Sequence, residues 1–376
     1  MNDKIKVLHI TGDAVGGIRK HIHDIIYNMS EHYNFYYISS FNNDKVSITE
    51  KESIEKLVES RIRLDISKKP TFFDIVNIFL IYRIIRKNKI KIVHGHGAKG
   101  GLYARIAGKL AGAKVIYTPH GGVAHDMFSG SEDKIYKLIE KILSSFTSCF
   151  LFESNYTKKA YFKKIKPKKN LNYAVNYNGV NVGLIEQSDN TLPSSKKNIK
   201  IGFFGVLRNE KGILFSIDAI NDVINSINIE LSYHIYGDGP LLNEVENKIN
   251  NLSCQKKIYL HGETDNPYMA MHNMDIIFVP SKFESFGYVA VESMFLEKTL
   301  VVSDAGALPE VCCPDSSYFF RSNDLPDCVR ALKKAIYETI DGSNYKKLTD
   351  ASFFAKKHYS IETMCNNLSS LYKKLL

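Results

Sequence analysis

The chain of 376 residues contains no tryptophan, no Cys-x-x-Cys pair and no two aspartates separated by a single residue. Its six cysteines (149, 254, 312, 313, 328 and 365) lack the spacing of a zinc site, so they read as thiols of a reducing compartment, not as a disulfide frame. Without an Asp-x-Asp, the clustered hard oxygen ligands by which Mg2+ would grip a diphosphate are missing, and no metal is expected in that role. There is no uncharged apolar run of 18 residues or more. The greasiest stretch, residues 75–85, is interrupted by Asn77 and Arg83, which excludes a spanning helix. Residues 1–4 lead directly into the strand-like residues 5–10, with no charged-then-apolar leader and no cleavage site. The expectation is a cytoplasmic protein.

What is present is ordinary for a globular chain: 44% apolar and 24% charged residues, in a length that suggests two domains. The 50 Lys+Arg against 40 Asp+Glu give a formal charge of +10, unevenly divided. Residues 1–200 hold 33 basic and 18 acidic groups, and residues 201–376 hold 17 and 22. The first half therefore faces either an anionic partner (nucleic acid, a membrane surface, a phosphorylated substrate) or simply carries a solvated lysine face; composition does not choose between them.

Short apolar runs alternate with amphipathic stretches along the chain. Strands are expected at residues 6–10, 33–40, 90–94 and 114–118, with helices at 18–29, 72–87 and 98–110. The apolar runs lack strict alternation, as strands buried on both faces do, and strand–helix alternation makes a parallel sheet covered on both sides. Residues 186–198 are polar, with Pro and Ser signals, and form the expected linker. After it the pattern restarts: strands at 199–204, 231–236, 257–260, 276–279 and 300–303, helices at 212–225, 241–250 and 289–296, and mostly helical residues 324–340 and 344–375. The fold class is α/β, with a Rossmann-like domain over 1–188, a second over 189–359, and a last helix near 360–376 that packs back on the first. Ligands of such sheets sit at the carboxyl ends of the strands.

The richest stretch is Pro280-Ser281-Lys282-Phe283-Glu284-Ser285-Phe286-Gly287-Tyr288-Val289-Ala290-Val291-Glu292. A strand ends, a loop with Gly287 follows and a helix begins, so free backbone N–H groups make an anion cradle that glycine lets a ligand approach. Glu284 and Glu292 bracket that helix start. Carboxylates beside an anion are unfavourable unless they bind neutral hydroxyls, so the arrangement suits a sugar attached to a phosphate; a capping Glu and a solvated Glu are the bland alternative.

That stretch resembles the E-x7-E signature of retaining nucleotide-sugar glycosyltransferases of family 4, which have the GT-B fold. The resemblance spans nearly the whole chain. Gly16-Gly17-Ile18-Arg19-Lys20-His21 is similar to the family's first glycine loop, Val93-His94-Gly95-His96-Gly97-Ala98-Lys99-Gly100-Gly101 to its "VHAHSSKAG", and Tyr117-Thr118-Pro119-His120-Gly121 to its "YTPHG". Tyr177-Asn178-Gly179-Val180, Phe204-Gly205-Val206-Leu207-Arg208-Asn209-Glu210-Lys211-Gly212 and Ile235-Tyr236-Gly237-Asp238-Gly239-Pro240 resemble "PNGV", "VGRLxPEKG" and "GDGP" in the family's order.

The resemblance implies two Rossmann-like domains facing each other across a cleft, and a nucleotide-diphosphate sugar as co-substrate with no metal. Glu284 would contact the transferred sugar, with Ser285, Phe286 and Gly287 offering backbone N–H groups and Glu292 holding the ribose. Lys211 would neutralise the diphosphate, Gly16 and Gly17 would form a flexible loop near it, and His120 would hydrogen-bond the sugar near its sixth carbon. The family's arginine is Val206 here. Arg208, two positions on, either serves as the second phosphate cation or pairs on the surface with Glu210. Gly306-Ala307 stands where the family has paired glycines, a tolerable change.

Gly95-His96-Gly97-Ala98-Lys99-Gly100 fits the G-x-G-x-x-G pattern, but Thr118-Pro119-His120 supplies no acid after the next strand, so a dinucleotide reading fails. His94 and His96 find no nearby Cys or carboxylate to complete a metal shell, and a helix-start turn is the favoured reading. Seven lysines fall within residues 158–169, around Tyr161 and Phe162, and favour an anionic membrane surface; residues 72–87, ending in Arg83, Arg86 and Lys87, are read as a helix packed on the sheet. The expectation is transfer of a sugar to a glycan or lipid-linked acceptor in bacterial surface polysaccharide synthesis, at the inner face of the membrane. The rivals are a sugar-nucleotide epimerase of the same fold and, without any recognition motif for it, a nucleic-acid binder.

Overall fold

The computed structural model describes residues 4–12, 16–40, 48–67, 69–120, 130–167, 171–181 and 198–376. The expected linker falls outside them apart from Asn198, as do Gly121, Lys168 and Lys169. The chain divides into two compact units, one of residues 1–179 with 361–376 and one of residues 180–360.

In the first unit the described strands are β1 (Ile5–Thr11), β2 (Tyr33–Ser40), β3 (Val58–Leu64), β4 (Ile92–His96), β5 (Lys114–Thr118), β6 (Cys149–Phe152) and β7 (Tyr173–Val175). They form one parallel sheet in the order β3-β2-β1-β4-β5-β6-β7. The helices are α1 (Gly16–Met29), α2 (Ile48–Leu57), α3 (Phe73–Asn88), α4 (Gly97–Ala111), α5 (Gly130–Leu143), α6 (Asn155–Ile165) and, from the far end of the chain, α14 (Ile361–Leu375). Beneath one face Ile22, Ile25 and Ile26 of α1 meet Met364, Leu368 and Tyr372 of α14 over β1 and β2. On the other, Ile81 and Ile85 of α3 and Tyr103, Ala104 and Ala107 of α4 cover Leu8, Ile10 and Val93.

The second unit repeats the plan. Strands β8 (Asn198–Phe204), β9 (Glu230–Tyr236), β10 (Ile258–Gly262), β11 (Ile276–Val279), β12 (Thr299–Ser303) and β13 (Tyr318–Phe320) are parallel in the order β10-β9-β8-β11-β12-β13. The helices are α7 (Ile213–Ser226), α8 (Leu242–Asn250), α9 (Pro267–His272), α10 (Tyr288–Phe295), α11 (Leu308–Val311), α12 (Leu325–Asp341) and α13 (Tyr345–Tyr359). The stretch expected to be mostly helical over 344–375 is two helices, because Ser360 takes extended dihedrals between them. Both sheets are therefore Rossmann-like, with the strand order reversing once, between β1 and β4 in the first and between β8 and β11 in the second.

Two features of the first unit depart from simple amphipathic packing. The helix expected at 72–87 is α3, but its inward stripe begins with Asp74 and Asn77 while Phe72, Phe73, Ile75, Val76, Phe79 and Leu80 are exposed, Phe72 by 75% and Phe79 by 58%. Asp74 explains the orientation. Its carboxylate accepts from Lys99 Nζ at 2.7 Å and from Tyr103 OH on α4, and Asn77 Nδ2 donates to the Asp65 carbonyl at 2.8 Å. A charge that found these partners can only be buried with them, so the polar stripe turns in and the apolar one turns out. Only the C-terminal half, through Ile81 and Ile85, packs on the sheet as expected.

The second is a fully buried ion pair. Arg105 of α4 donates to both carboxylate oxygens of Glu140 on α5, at 2.9 and 2.6 Å, and its guanidinium lies 4.0 Å from the Tyr117 ring centroid. Side-chain exposure is 0% for Arg105 and 2% for Glu140, and Tyr161 OH adds a hydrogen bond to the carboxylate at 2.9 Å. Removing one partner strands the other charge, which costs about 3–5 kcal/mol. Glu140→Ala is expected to lower the unfolding free energy measured in urea by that amount; a loss below about 1 kcal/mol would show that Arg105 regains water.

Candidate functional site

Each sheet carries a polar cluster at the carboxyl ends of the strands that flank its order reversal. In the second unit the two loops are the one after β8, ending in Lys211, and the one after β11, which contains Glu284. Lys211 Nζ and Glu284 Oε1 are 2.6 Å apart, and Ser281 Oγ donates to the same oxygen at 2.9 Å. Lys211 is about a third exposed, so this pair adds little stability; its significance is that two sequence-distant charges are placed together in an accessible position.

The backbone forces that meeting. Gly212 has φ +70°, and a Cβ there would lie 2.1 Å from the Pro280 carbonyl oxygen; the Lys282 N–H donates to the Glu210 carbonyl at 2.8 Å. Gly306, at φ +64°, lets its loop come equally close to the Glu284 backbone, where the Ala307 N–H donates to the Glu284 carbonyl at 2.9 Å. Thus one glycine suffices at 306–307. Gly287, at φ +97°, is the residue before α10, whose Ala290 and Val291 N–H groups donate to the Gly287 carbonyl at 3.1 and 3.2 Å. Ser285 is half-buried, while the Phe286 ring is buried edge-on against Tyr288 and Tyr359. Glu292 is buried one turn into α10 and accepts from Tyr268 OH at 3.2 Å. Arg208 is exposed, and among the described residues no ion pair joins it to Glu210 or to any other acid.

In the first unit Gly16 and Gly17 are the first, exposed residues of α1, Gly16 at φ +55°, and not a loop detached from it. His96 closes β4 and Gly97 opens α4, so the helix-start reading of this segment matches the structure. His120, at φ +51°, belongs to a row of side chains that crosses four adjacent strand ends. His9 Nδ1 and His96 Nε2 are 2.9 Å apart, His96 Nδ1 and His120 Nε2 are 2.9 Å apart, and His120 Nδ1 lies 2.7 Å from Glu153 Oε1. Asn178 Nδ2 donates to that oxygen at 3.0 Å, His94 Nε2 meets Thr118 Oγ1 at 2.8 Å, and Tyr372 OH of α14 approaches His94 and His9 at 3.4 and 3.5 Å.

Burial holds His9 and His21 down at about 3, helped by neighbouring imidazoles, and keeps His94 and His96 well below the ordinary value for the same reason. Burial alone would raise Glu153, but the charge and hydrogen bond of His120, His21 and the Asn178 amide pull it to about 2. A carboxylate can only accept, so His120 carries its proton on Nδ1. Where His120 Nε2 accepts, the remaining bonds follow in one direction: His96 donates to His120 through Nδ1, and His9 donates to His96 through Nδ1. His21 of α1 packs against the rings of His96 and His120, at 5.6 and 5.3 Å between centroids.

The sequence reading had found no metal shell around His94 and His96. The structure brings His9, His21 and His120 to them from other elements, so that two trios have ring nitrogens within 4.8 Å of one another: His9, His94 and His96, and His21, His96 and His120. Glu153 was not foreseen. Its one sequence signal is position, a carboxylate at a strand end just before the capping box of Ser154 and Thr157.

The description Glycosyltransferase Family 4 is that of a family model matching residues 15–184, and Glycosyl transferases group 1 that of one matching residues 185–351. An uncharacterised 41.2 kDa protein in the cps region of Klebsiella pneumoniae is 26% identical, over 98% of this chain and 99% of its own. The Escherichia coli UDP-Gal:alpha-D-GlcNAc-diphosphoundecaprenol alpha-1,3-galactosyltransferase is 25% identical over 61% of this chain and 62% of its own. Among solved structures, Anabaena HepE in complex with UDP and glucose aligns with a TM-score of 0.81 at 18% identity, over 98% of this chain and 100% of that one, a likeness of fold.

The loop geometry generates one prediction. Gly212→Ala and Gly342→Ala both place a side chain at φ above +70° or close to it, but only position 212 has an obstacle; around Gly342 nothing lies within 4 Å. Chemical unfolding is expected to show a loss of about 1 kcal/mol for Gly342→Ala and a clearly larger one for Gly212→Ala. Equal losses would mean that the Pro280 loop yields freely.

Proposed function

The chain belongs to the glycosyltransferases, with the GT-B fold and its family 4 and group 1 domains in tandem, and from that premise we propose that it moves a sugar from a nucleotide-diphosphate donor to a hydroxyl acceptor with retention at the anomeric carbon. The observation that carries the donor assignment is the Lys211–Glu284 pair at the β8/β11 reversal: a cation for the diphosphate and a carboxylate for sugar hydroxyls, held together by loops that precede two helices. HepE, of the same fold, is described with UDP and glucose bound.

In this reading Lys211 and the first turn of α10 draw negative charge onto the leaving diphosphate, the group whose departure limits the reaction. Arg208, exposed and without an acidic partner among the described residues, is the second cation in place of the arginine that Val206 replaces. Glu284 holds the sugar, Ser285, Phe286 and Gly287 present their N–H groups to it and to the phosphate, and Glu292 holds the ribose. The bond from the anomeric carbon to the diphosphate breaks, the acceptor oxygen bonds on the same face, and the acceptor's proton passes to the departing diphosphate. No divalent ion is needed at this diphosphate, since lysine and helix N–H groups supply the charge.

The acceptor is proposed to be a lipid-linked glycan intermediate of bacterial surface polysaccharide synthesis. The E. coli relative is named for a diphosphoundecaprenol acceptor, and the Klebsiella relative for a capsule region. No helix among the described residues is long and apolar enough to cross a membrane, so the reading is peripheral. The exposed apolar residues of α3 support it, joined by Leu110 of α4 and by Ile135, Leu138, Ile139 and Ile142 of α5, with Arg83, Arg86, Lys87, Lys109, Lys134 and Lys141 exposed among them. Apolar surface fringed by cations suits an anionic bilayer, and Lys159, Lys163 and Lys166 of the lysine-rich segment are exposed as well, each worth ~1 kcal/mol near such a surface.

Three experiments test these assignments. Lys211→Ala and Glu284→Ala are each expected to lower kcat/KM by at least about 1000-fold while leaving the melting curve of the protein in place; near-normal turnover in both would overturn the site. Added Mg2+ is expected to leave the wild-type rate unchanged. For the membrane, the double variant Phe73→Ser, Phe79→Ser is expected to weaken sedimentation with phosphatidylglycerol vesicles at least tenfold without altering nucleotide-sugar binding, and equal sedimentation would remove α3 from the docking face.

A further inference from the structure

The imidazole row contains atoms whose hydrogen-bonding capacity the protein leaves unused. His21 is only 2% exposed, yet neither ring nitrogen makes a well-formed hydrogen bond, its contact with the Asn178 side chain falling short of one. Glu153 Oε2 and Asn178 Oδ1 are likewise buried and unpartnered, although their neighbouring atoms, Oε1 and Nδ2, bond each other. Asn178 adjoins His21 and Glu153 backs His120, so these orphans belong to one place. Leaving several buried polar atoms unsatisfied costs about 1–3 kcal/mol each, and the concentration of them here is far from random.

Of the two histidine trios, His9, His94 and His96 are committed to hydrogen bonds with one another, Thr118 and Tyr372. The trio of His21, His96 and His120 is the one with spare nitrogen. From these atoms the geometry points to a binding site for a single divalent transition-metal ion, of the zinc type, held by His21, His96 and His120 in the first unit. The facing nitrogens, His96 Nδ1 and His120 Nε2, stand 2.9 Å apart; two nitrogens on a tetrahedral zinc lie roughly 3.3 Å apart, so the rings separate only slightly to admit the ion. Behind His120, Glu153 accepts from Nδ1, the carboxylate–histidine arrangement that fixes a ligand's tautomer and raises its basicity. Behind His96 stands His9. A dication offsets the Glu153 carboxylate that stands behind His120, and imidazole ligands favour zinc-like ions over Mg2+. The fourth position falls to water.

The site makes a prediction about protons that a plain hydrogen-bond row does not. Without metal, and with His120 neutral, His96 carries its proton on Nδ1. To bind metal through Nδ1 it must carry it on Nε2 and donate to His9 Nδ1, which in turn moves the His9 proton to Nε2. His21 is the discriminating residue for mutation, because it takes part in none of the row's hydrogen bonds and its removal leaves them whole.

The test uses the full chain, stripped with chelator and titrated with Zn2+ by calorimetry and with Co2+ by absorption, alongside His21→Ala and the control His261→Ala. The control removes one of the surface pair His234 and His261, 2.9 Å apart in the second unit. The expected result is one ion per chain, tetrahedral Co2+ absorption, an affinity at least about 100-fold lower in His21→Ala, and none lost in His261→Ala. Nitrogen NMR of the wild type is expected to show the His96 and His9 protons changing nitrogens on adding Zn2+, a readout that holds even if His21→Ala folds poorly. No stoichiometric binding, binding that survives in folded His21→Ala or vanishes in His261→Ala, or an unchanged His96 tautomer would overturn the site and leave the orphaned atoms to ordered water.

Discussion

A parallel sheet whose strand order reverses once leaves a crevice where the connections on either side of the reversal run to opposite faces. Both halves of this chain are organised by that constraint. In the first unit it falls between β1 and β4, and His9 and His96, from those two strands, bond across it. In the second it falls between β8 and β11, and Lys211 and Glu284, from the loops after those two strands, pair across it. The remaining polar residues extend each cluster outward along the strand ends: His120 after β5 and Glu153 after β6 on one sheet, Gly306 after β12 on the other.

The two crevices use opposite electrostatics. The second holds formally charged groups in reach of water, where a charged ligand can exchange places with a side-chain partner. The first holds neutral rings driven out of their charged form by burial, with one ionised carboxylate at the end. This division does not follow net charge. The net basic half of the chain contains the neutral row, and its lysines and arginines lie mainly on helices; the net acidic half places its few cations where a diphosphate is proposed to bind. Bulk charge is therefore a poor guide to which crevice is built for a charged ligand.

Much of this was legible in the sequence because the informative residues are local. Lys211 stands next to the glycine that brings it to Pro280, and Glu284 lies inside one strand–loop–helix segment, so local motifs that resemble the family's were enough to nominate both. The alternation of apolar runs and helices gave the tandem architecture by the same locality. The histidine row was not legible: His9, His21, the pair His94 and His96, and His120 come from four separate parts of the chain, and only strand order makes them neighbours. Glu153 was missed for that reason, as was the unfilled valence of His21. The orientation of α3 was hidden differently. Periodicity shows that a helix has two faces, but which one is buried was decided by Asp74 finding Lys99 and Tyr103 on another helix.

The central claim is that the β8/β11 crevice of the second unit holds a nucleotide-diphosphate sugar. The most direct measurement is the melting temperature of the full chain against a panel of UDP-, GDP-, ADP- and dTDP-sugars at millimolar concentration. A ligand at 100 times its Kd adds about 2.7 kcal/mol to the folded state, roughly 5–10 °C for a domain of this size. The account predicts that at least one member of the panel produces such a shift and that its free nucleoside diphosphate produces a smaller one. A flat response across the whole panel would contradict it.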